Sequence, residues 1–423
     1  MKVLIAASPL TGHVNPLLAV GRLLARRGDT VLVVTDPSFR QKVESSGLRL
    51  TAYEDRGAAT YLEPHLPPGP VRWTHEFEHR FIEPMATQAA VLRETIRTEA
   101  PDVIVAGSLF LGILPLLLDA TTCRPPIIVL NISFLFLDRP DDAPVGMGLL
   151  PARDDIERAR YAALKVGLDA SFVRPVRALT DARLARLGAR PLPASLTQSL
   201  AILPDAFLQP SVREFEYDFG TFPPGLRFVG LLPTTPMAVA VPEWWPDLES
   251  GKSIILVTQG TLANADFSEL LEPTLQALEG RDDLLIVATT GGRSVEEIHC
   301  EIPANGRVAT FLPFDVLLPK IDLLVTNGGY GSVSQALAAG VPIVSAGLTE
   351  DKAEVGARIE WSGVGLNLAT NRPTVDALRW AVERVLTEQR FRERARVMAR
   401  AFADLDPGRE ILAAIDALTH VSG

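Results

Sequence analysis

Short apolar runs alternate with amphipathic stretches from the first residues of the chain. KVLIAAS (residues 2–8) is β-rich and unbroken. NPLLAVGRLLARRG (residues 15–28) follows, with apolar positions at helical spacing. Asn15 as N-cap, Pro16 at the first helical position, Arg26 and Arg27 in the last turn and Gly28 beyond it predict a helix marked at both ends. TVLVVTD (30–36), RLTAYE (49–54), DVIVAG (102–107) and PIIVLN (126–131) read as further strands separated by helices. Val/Ile/Leu runs without polar alternation indicate a parallel sheet covered on both faces. The pattern breaks at LLPTTPMAVAVPEWWPDLESGKS (231–253), which is rich in proline and lacks a period, as a linker does. It then resumes with SIILVTQG, DLLIVATTG, RVATFLP, DLLVTNGG and VPIVSAG, the strands expected of a second parallel sheet.

The expected fold is therefore α/β, with two doubly wound, Rossmann-like parallel-sheet domains facing a cleft. The expected divisions are residues 1–231, a linker at 232–251, a second domain at 252–405, and a final helix at 406–423 packing back on the first domain. In open parallel sheets ligands bind beyond the carboxyl ends of the strands. The loops after Ala7, Ala106, Gly260, Gly292 and Asn327 should line the cleft.

Charge narrows the function. The 423 residues carry a formal net charge of −10, which argues against a nucleic-acid partner. It leaves open a phosphate-bearing small molecule, because backbone amides hold phosphate without lysines. Cys123 and Cys300 are the two cysteines, without metal-ligand spacing, so a reducing cytoplasm is expected. The run LFLGILPLLL (109–118) contains a proline and is shorter than the roughly 20 residues a membrane span needs. MKVLIAASPL is too short an apolar run for a signal peptide and leads straight into the first helix.

The stretch NGGYGSVSQALAAGVP (327–342) carries the clearest chemistry. Gly328, Gly329 and Gly331 allow a tight turn that exposes backbone N–H groups. Ser332 then opens a helix that Gly340 ends. Free amides at a helix N-terminus attract an anion, and glycine lets a phosphate approach. Neither the G-x-G-x-x-G nor the G-x-x-x-x-G-K-[ST] pattern is present. A plain strand-to-helix connection explains the local string equally well.

With EDK (350–352), the stretch resembles the donor-binding signature of GT-B-fold glycosyltransferases of the UDP-glycosyltransferase family, bacterial natural-product type. That signature runs His-Gly-Gly-x-Gly-Ser, Glu three residues on, Ala-x-x-x-Gly-Val-Pro, then Asp-Gln. SPLTGHVNPLLAVGRLLARRGDTVLVVT, RFVGLLP, VTQGT and RVATFLPFDVLLPKIDLLVTNGG resemble other family segments in the family's order, so the resemblance covers nearly the whole chain. It implies a hexosyltransferase moving a sugar, with inversion, from a UDP- or dTDP-sugar to a hydroxyl of a small lipophilic acceptor such as a phenol, polyketide or macrolide. It implies no metal or redox cofactor, no nucleic-acid partner, no membrane span, and a monomer or homodimer. The donor residues implied are Gly260, Thr261, Phe311, Leu312, Asn327, Gly328, Gly329, Gly331, Ser332, Gln335, Asp351 and Lys352.

Three positions depart from the family pattern. Asn327 stands in place of a histidine, Gln335 in place of a ribose-binding glutamate, and Lys352 in place of the glutamine of the Asp-Gln pair. His13 is implied as the catalytic base that deprotonates the acceptor. The supporting aspartate of the family is replaced by Gly107, which leaves Ser108, another carboxylate or a water to orient the histidine. Phe77, Phe81, Phe110, Phe134 and Met147 are expected to line the acceptor site, the first two being core residues first. His65, His75 and His79 form a weak metal signal, with a solvated helix face the plainer reading. FLFLDRPDDAPVGMGLL (134–150) reads as a lid. Trp244 and Trp245 read as packing, and EQRFRERARVMARAF (388–402) as a solvated amphipathic helix. Two other readings share the fold: an auxiliary protein impaired in catalysis, and a nucleotide-sugar epimerase.

Overall fold

The computed structural model describes residues 1–53, 66, 69–119, 123–233, 241–261 and 263–419. His65 and residues 234–240 of the central linker lie outside them. Thirteen strands form two all-parallel sheets among these residues. The first sheet contains β1 (Lys2–Ala6), β2 (Thr30–Thr35), β3 (Arg49–Ala52), β4 (Val103–Gly107), β5 (Ile127–Leu130), β6 (Ala206–Gln209) and β7 (Leu226–Phe228). Its order is β3-β2-β1-β4-β5-β6-β7. The second contains β8 (Ser253–Thr258), β9 (Leu284–Thr289), β10 (Gly306–Ala309), β11 (Leu323–Thr326), β12 (Ile343–Ser345) and β13 (Gly365–Asn367), in the order β10-β9-β8-β11-β12-β13.

The unbroken apolar runs explain this architecture. Strand side chains alternate faces, so a strand buried on both sides must be apolar at every position. Leu4, Ala6, Leu32, Val34, Ile104 and Ala106 join the core on one face of the first sheet. Val3, Ile5, Val31, Val33, Val103 and Val105 join the core on the other. The second sheet divides likewise, Ile254, Leu256 and Leu324 against Ile255, Val257 and Leu323. The helix Pro407–Thr419 places Ile411, Ala414 and Ile415 in the core of the first domain, and Asp416 pairs with Arg27 at 2.8 Å.

Two helix starts differ from the sequence reading. The first helix runs from Thr11 to Arg27, one turn earlier than the cap at Asn15. Leu10 is extended, and its carbonyl accepts from the N–H groups of His13 and Val14. Pro16 thus sits inside the helix and withdraws the bond to the Gly12 carbonyl. Gly28, at φ 97°, ends the helix as predicted. The glycine-turn helix opens at Tyr330 with Gly329 as N-cap, so Ser332 is its third residue. Gly340 is left-handed at φ 74° and caps it.

Trp244 and Trp245 pack on the second domain's core, and Phe391, Ala395, Met398 and Phe402 form the buried face of the helix Gln389–Ala403. Cys123 and Cys300 are both free. Among the described residues no helix is long and apolar enough to cross a membrane.

Candidate active site

In each sheet the strand order reverses beside the first strand, between β1 and β4 and between β8 and β11. Loops diverge at such a point and leave a crevice for a ligand. One side chain stitches each crevice. In the first sheet Ser8 Oγ, after β1, donates to the Leu109 carbonyl after β4 at 2.9 Å. In the second, Asn327 Nδ2, after β11, donates to the carbonyls of Gln259 (2.5 Å) and Ala263 (3.3 Å) after β8. Asn327 therefore holds the loop after β8, and both its side-chain N–H groups are occupied.

The glycine turn follows directly. Gly328 is left-handed at φ 91°, a conformation that excludes other residues, and donates to Thr326 Oγ1. The first N–H groups of the helix Tyr330–Ala338 have no intrahelical acceptor. Gly331 is exposed there, and an added Cβ would meet nothing within 4 Å. Gly331→Val should therefore fold normally yet fill the space in front of these amides. Calorimetry should show UDP affinity lost, with an unchanged melting temperature; unchanged UDP affinity would mean that the cradle lies elsewhere.

Gln335 lies one turn on. Its Nε2 donates to the Gly331 carbonyl at 3.2 Å, which leaves Oε1 as the acceptor. Gly260 is left-handed at φ 72° and Thr261 is exposed beside it. Phe311 presents a ring that is 40% exposed and packs on Gly292. Leu312 is instead buried in the core.

His13 stands in the first turn of its helix, not in a preceding loop. Its ring lies parallel to Phe81 with centroids 6.0 Å apart. His13 is half-buried, and the loss of solvent around its ring, together with the charge of Arg80, pushes the imidazole down to about 3, so it is neutral at physiological pH. Its Nδ1 is shielded and has no partner among the described residues. The Ser108 hydroxyl is likewise buried and unpartnered, so Ser108 does not bond His13 directly. An added Cβ at Gly107 would lie 3.2 Å from Leu17 Cδ1. Leu17, one helical turn beyond His13, would have to give by a few tenths of an ångström to admit a side chain there.

The acceptor-lining set separates on inspection. Phe77 and Phe81 pack edge-on at 5.5 Å, Phe77 half-buried and Phe81 nearly buried beside His13. Phe110 is fully buried against Tyr53 and belongs to the core, as does Met85; Phe110 offers no wall to a pocket. Phe134 faces the Arg358 guanidinium at 4.9 Å on the seam between domains. Met147 is 40% exposed on a loop docked against the second domain. His75 and His79 contact each other at 4.0 Å, and His79 bonds Glu83. No group of three metal-binding side chains occurs among the described residues.

Sequence reasoning missed the seam. Ser133 Oγ donates to Asp351 Oδ2 at 2.8 Å across the domains. Burial pushes the Asp351 carboxyl up, and the Ser133 bond opposes this. The Tyr330 hydroxyl accepts from Gln209 Nε2 at 2.6 Å and donates to the Pro210 carbonyl. Arg358 is 1% exposed; it pairs with Glu216 of the first domain at 2.7 Å and Glu354 at 2.6 Å. Burial works against its charge, but these two carboxylates hold the guanidinium protonated. Glu354 also accepts from the N–H groups of Gly146 and Gly148. The loop read as a free lid is thus fastened to the donor-side helix Lys352–Ser362. Only the Glu354/Arg358 spacing of four gave any signal in the sequence.

Residues 273–418 match the family described as erythromycin biosynthesis protein CIII-like, C-terminal domain. The 4'-demethylrebeccamycin synthase of Lentzea aerocolonigenes is 36% identical over 100% of this chain and 99% of its own length. UDP-glycosyltransferase 2 of Phaeomoniella chlamydospora is 34% identical over 98% of this chain and 95% of its own. The crystal structure of the glycotransferase of kitacinnamycin superposes with a TM-score of 0.75 at 20% identity, covering 99% of this chain and 98% of that one, and shares the fold. A full-length relative above one-third identity, two facing parallel sheets and a glycine turn at the switch point converge: the chain belongs to the GT-B-fold UDP-glycosyltransferases of natural-product type.

Proposed function

We propose that this protein is an inverting glycosyltransferase that moves a sugar from a UDP- or dTDP-sugar to a hydroxyl of a small lipophilic natural product. The observation that carries the reading is the pairing of two switch points. His13, a neutral base, stands at one, and a glycine turn with free amides stands at the other. Inversion by direct displacement needs a base on the acceptor and stabilisation of the leaving diphosphate. His13 takes the proton of the acceptor hydroxyl as that oxygen attacks the anomeric carbon. The amides of Gly331 and Ser332, with the helix dipole, receive the diphosphate as the glycosidic bond breaks.

The other roles follow from chemistry and position. The exposed Phe311 ring offers a stacking face for the base. Gln335 Oε1 accepts from ribose hydroxyls. Asp351, satisfied by the Ser133 hydroxyl in the ligand-free protein, exchanges that partner for a sugar hydroxyl. Phe77 and Phe81 form an apolar wall beside His13, suited to an aromatic or polyketide acceptor. The Ser108 hydroxyl, which follows β4 and has no partner of its own, orients His13 through a water. A transferase named for UDP among the relatives supports a UDP donor.

Thermal-shift measurement with UDP, dTDP and ADP tests the donor class; stabilisation by the two pyrimidine diphosphates above ADP is expected. In the Gln335→Glu variant the donor bond to Gly331 is lost, and the new carboxylate turns away from that carbonyl toward the ribose. UDP binding should strengthen more than dTDP binding, since ribose alone offers both hydroxyls. Equal changes for the two would exclude a 2′-hydroxyl contact.

A further inference from the structure

We propose that Lys352 binds the donor diphosphate and supplies the positive charge that position 327 lacks. The inference rests on the donor reading above and assigns the site a residue with a different task from the glutamine it replaces. Asn327 is neutral, and its two N–H groups are directed at Gln259 and Ala263, away from any ligand. The helix amides supply a partial charge of roughly half an elementary unit. A nucleoside diphosphate carries a larger negative charge, so a full cation beside the amides strengthens its binding.

Lys352 is placed to provide it. An added Cβ on Gly328 would lie 3.6 Å from Lys352 Cβ, and one on Gly347 would lie 2.9 Å from Lys352 Cδ. Its stem therefore runs beside the glycine turn, with the side chain 8% exposed. It lines a recess with Gln259, Glu269, Asn327, Thr349 and Asn371, in which Lys352 is the lone cation among the lining residues. Its ammonium pairs with Glu350 and reaches Thr349 Oγ1 at 3.3 Å. Glu350, 32% exposed, can turn to water when a diphosphate arrives. Burial brings the Lys352 ammonium down to about 8, opposed by the facing Glu269, which itself lies 3.7 Å from Arg372. A desolvated cation attracts an incoming anion more strongly than a hydrated one does.

Calorimetry with UDP and, in parallel, uridine decides the matter. Lys352→Gln should weaken UDP by about tenfold or more, the equivalent of one charge-assisted bond, and leave uridine unchanged. Asn327→His in the Lys352→Gln background should recover most of the loss, because the cation returns at position 327. Wild-type UDP affinity should also fall as pH rises through about 8, where Lys352 loses its proton, and Lys352→Gln should lack this fall. Circular dichroism of each variant shows whether it is folded. Wild-type UDP affinity in a folded Lys352→Gln variant overturns the inference and leaves the donor reading standing. Failure of the wild-type protein to bind either UDP or dTDP overturns both.

Discussion

Turnover on an aliphatic alcohol acceptor should fall by about a hundredfold or more in His13→Ala, the usual range for loss of a general base. UDP affinity should be nearly unchanged, because His13 belongs to the first domain and the glycine turn to the second. The loss should be smaller on an acidic phenol, which ionises with less help. The pH profile adds a sign. Only neutral imidazole accepts a proton, and His13 is held down to about 3 by burial and Arg80. Protonation of His13 should therefore cause no fall in kcat/KM between pH 8 and 5. A decline with a midpoint near 6.5 would show that the ring is fully hydrated. Gly107→Asp should not raise activity alone, because its Cβ meets Leu17 Cδ1 at 3.2 Å. Wild-type turnover of His13→Ala on an alcohol would remove the histidine from the mechanism.

The largest effect on stability is expected at Arg358. Arg358→Ala leaves Glu216 and Glu354 buried without a cation, and breaking such a pair costs about 3–5 kcal/mol. The same change frees the Leu135 carbonyl, which accepts from Arg358 Nη2 at 3.1 Å. Unfolding in urea, followed by tryptophan fluorescence in a variant that keeps Trp361 and replaces the other tryptophans by phenylalanine, reads the seam, since Trp361 packs on Tyr217 at 5.4 Å across the domains. The transition should shift to lower urea, and the segment 134–150 should become more open to protease. A triple change that also replaces Glu216 and Glu354 by glutamine should recover part of the loss, because it removes the unpaired charges. Unchanged unfolding of Arg358→Ala would show that the triad contributes nothing to domain contact.

Much of the fold was legible because parallel strands buried on both faces have no polar positions to disguise them. The strands of the central sheets stand out for that reason. β6, β7 and β13 went unread. The helix at Thr11 starts early because the Leu10 carbonyl already accepts from His13 and Val14, and a proline in the second turn removes only one bond; Asn15 and Pro16 pointed to a later start. The glycine turn was readable as chemistry because glycine spacing constrains the backbone directly. The task of Asn327 was not, because its acceptors lie 68 and 64 residues away in the chain. Ser133 and Asp351, 218 residues apart, and Arg358 and Glu216, 142 apart, meet only when two domains close. Phe110 illustrates the converse: an aromatic side chain beside a catalytic loop looks the same in sequence whether it lines a pocket or fills the core.

The most direct measurement is the transfer reaction itself. The wild-type protein is incubated with an α-linked UDP- or dTDP-glucose and a panel of phenolic, polyketide and macrolide alcohols. Nucleotide release is followed with and without acceptor, and the anomeric proton coupling of any product is read by NMR. Transfer with inversion predicts nucleotide release that depends on acceptor, and a β-glucoside product. Release or donor isomerisation without acceptor, or an α-glucoside product, would contradict it.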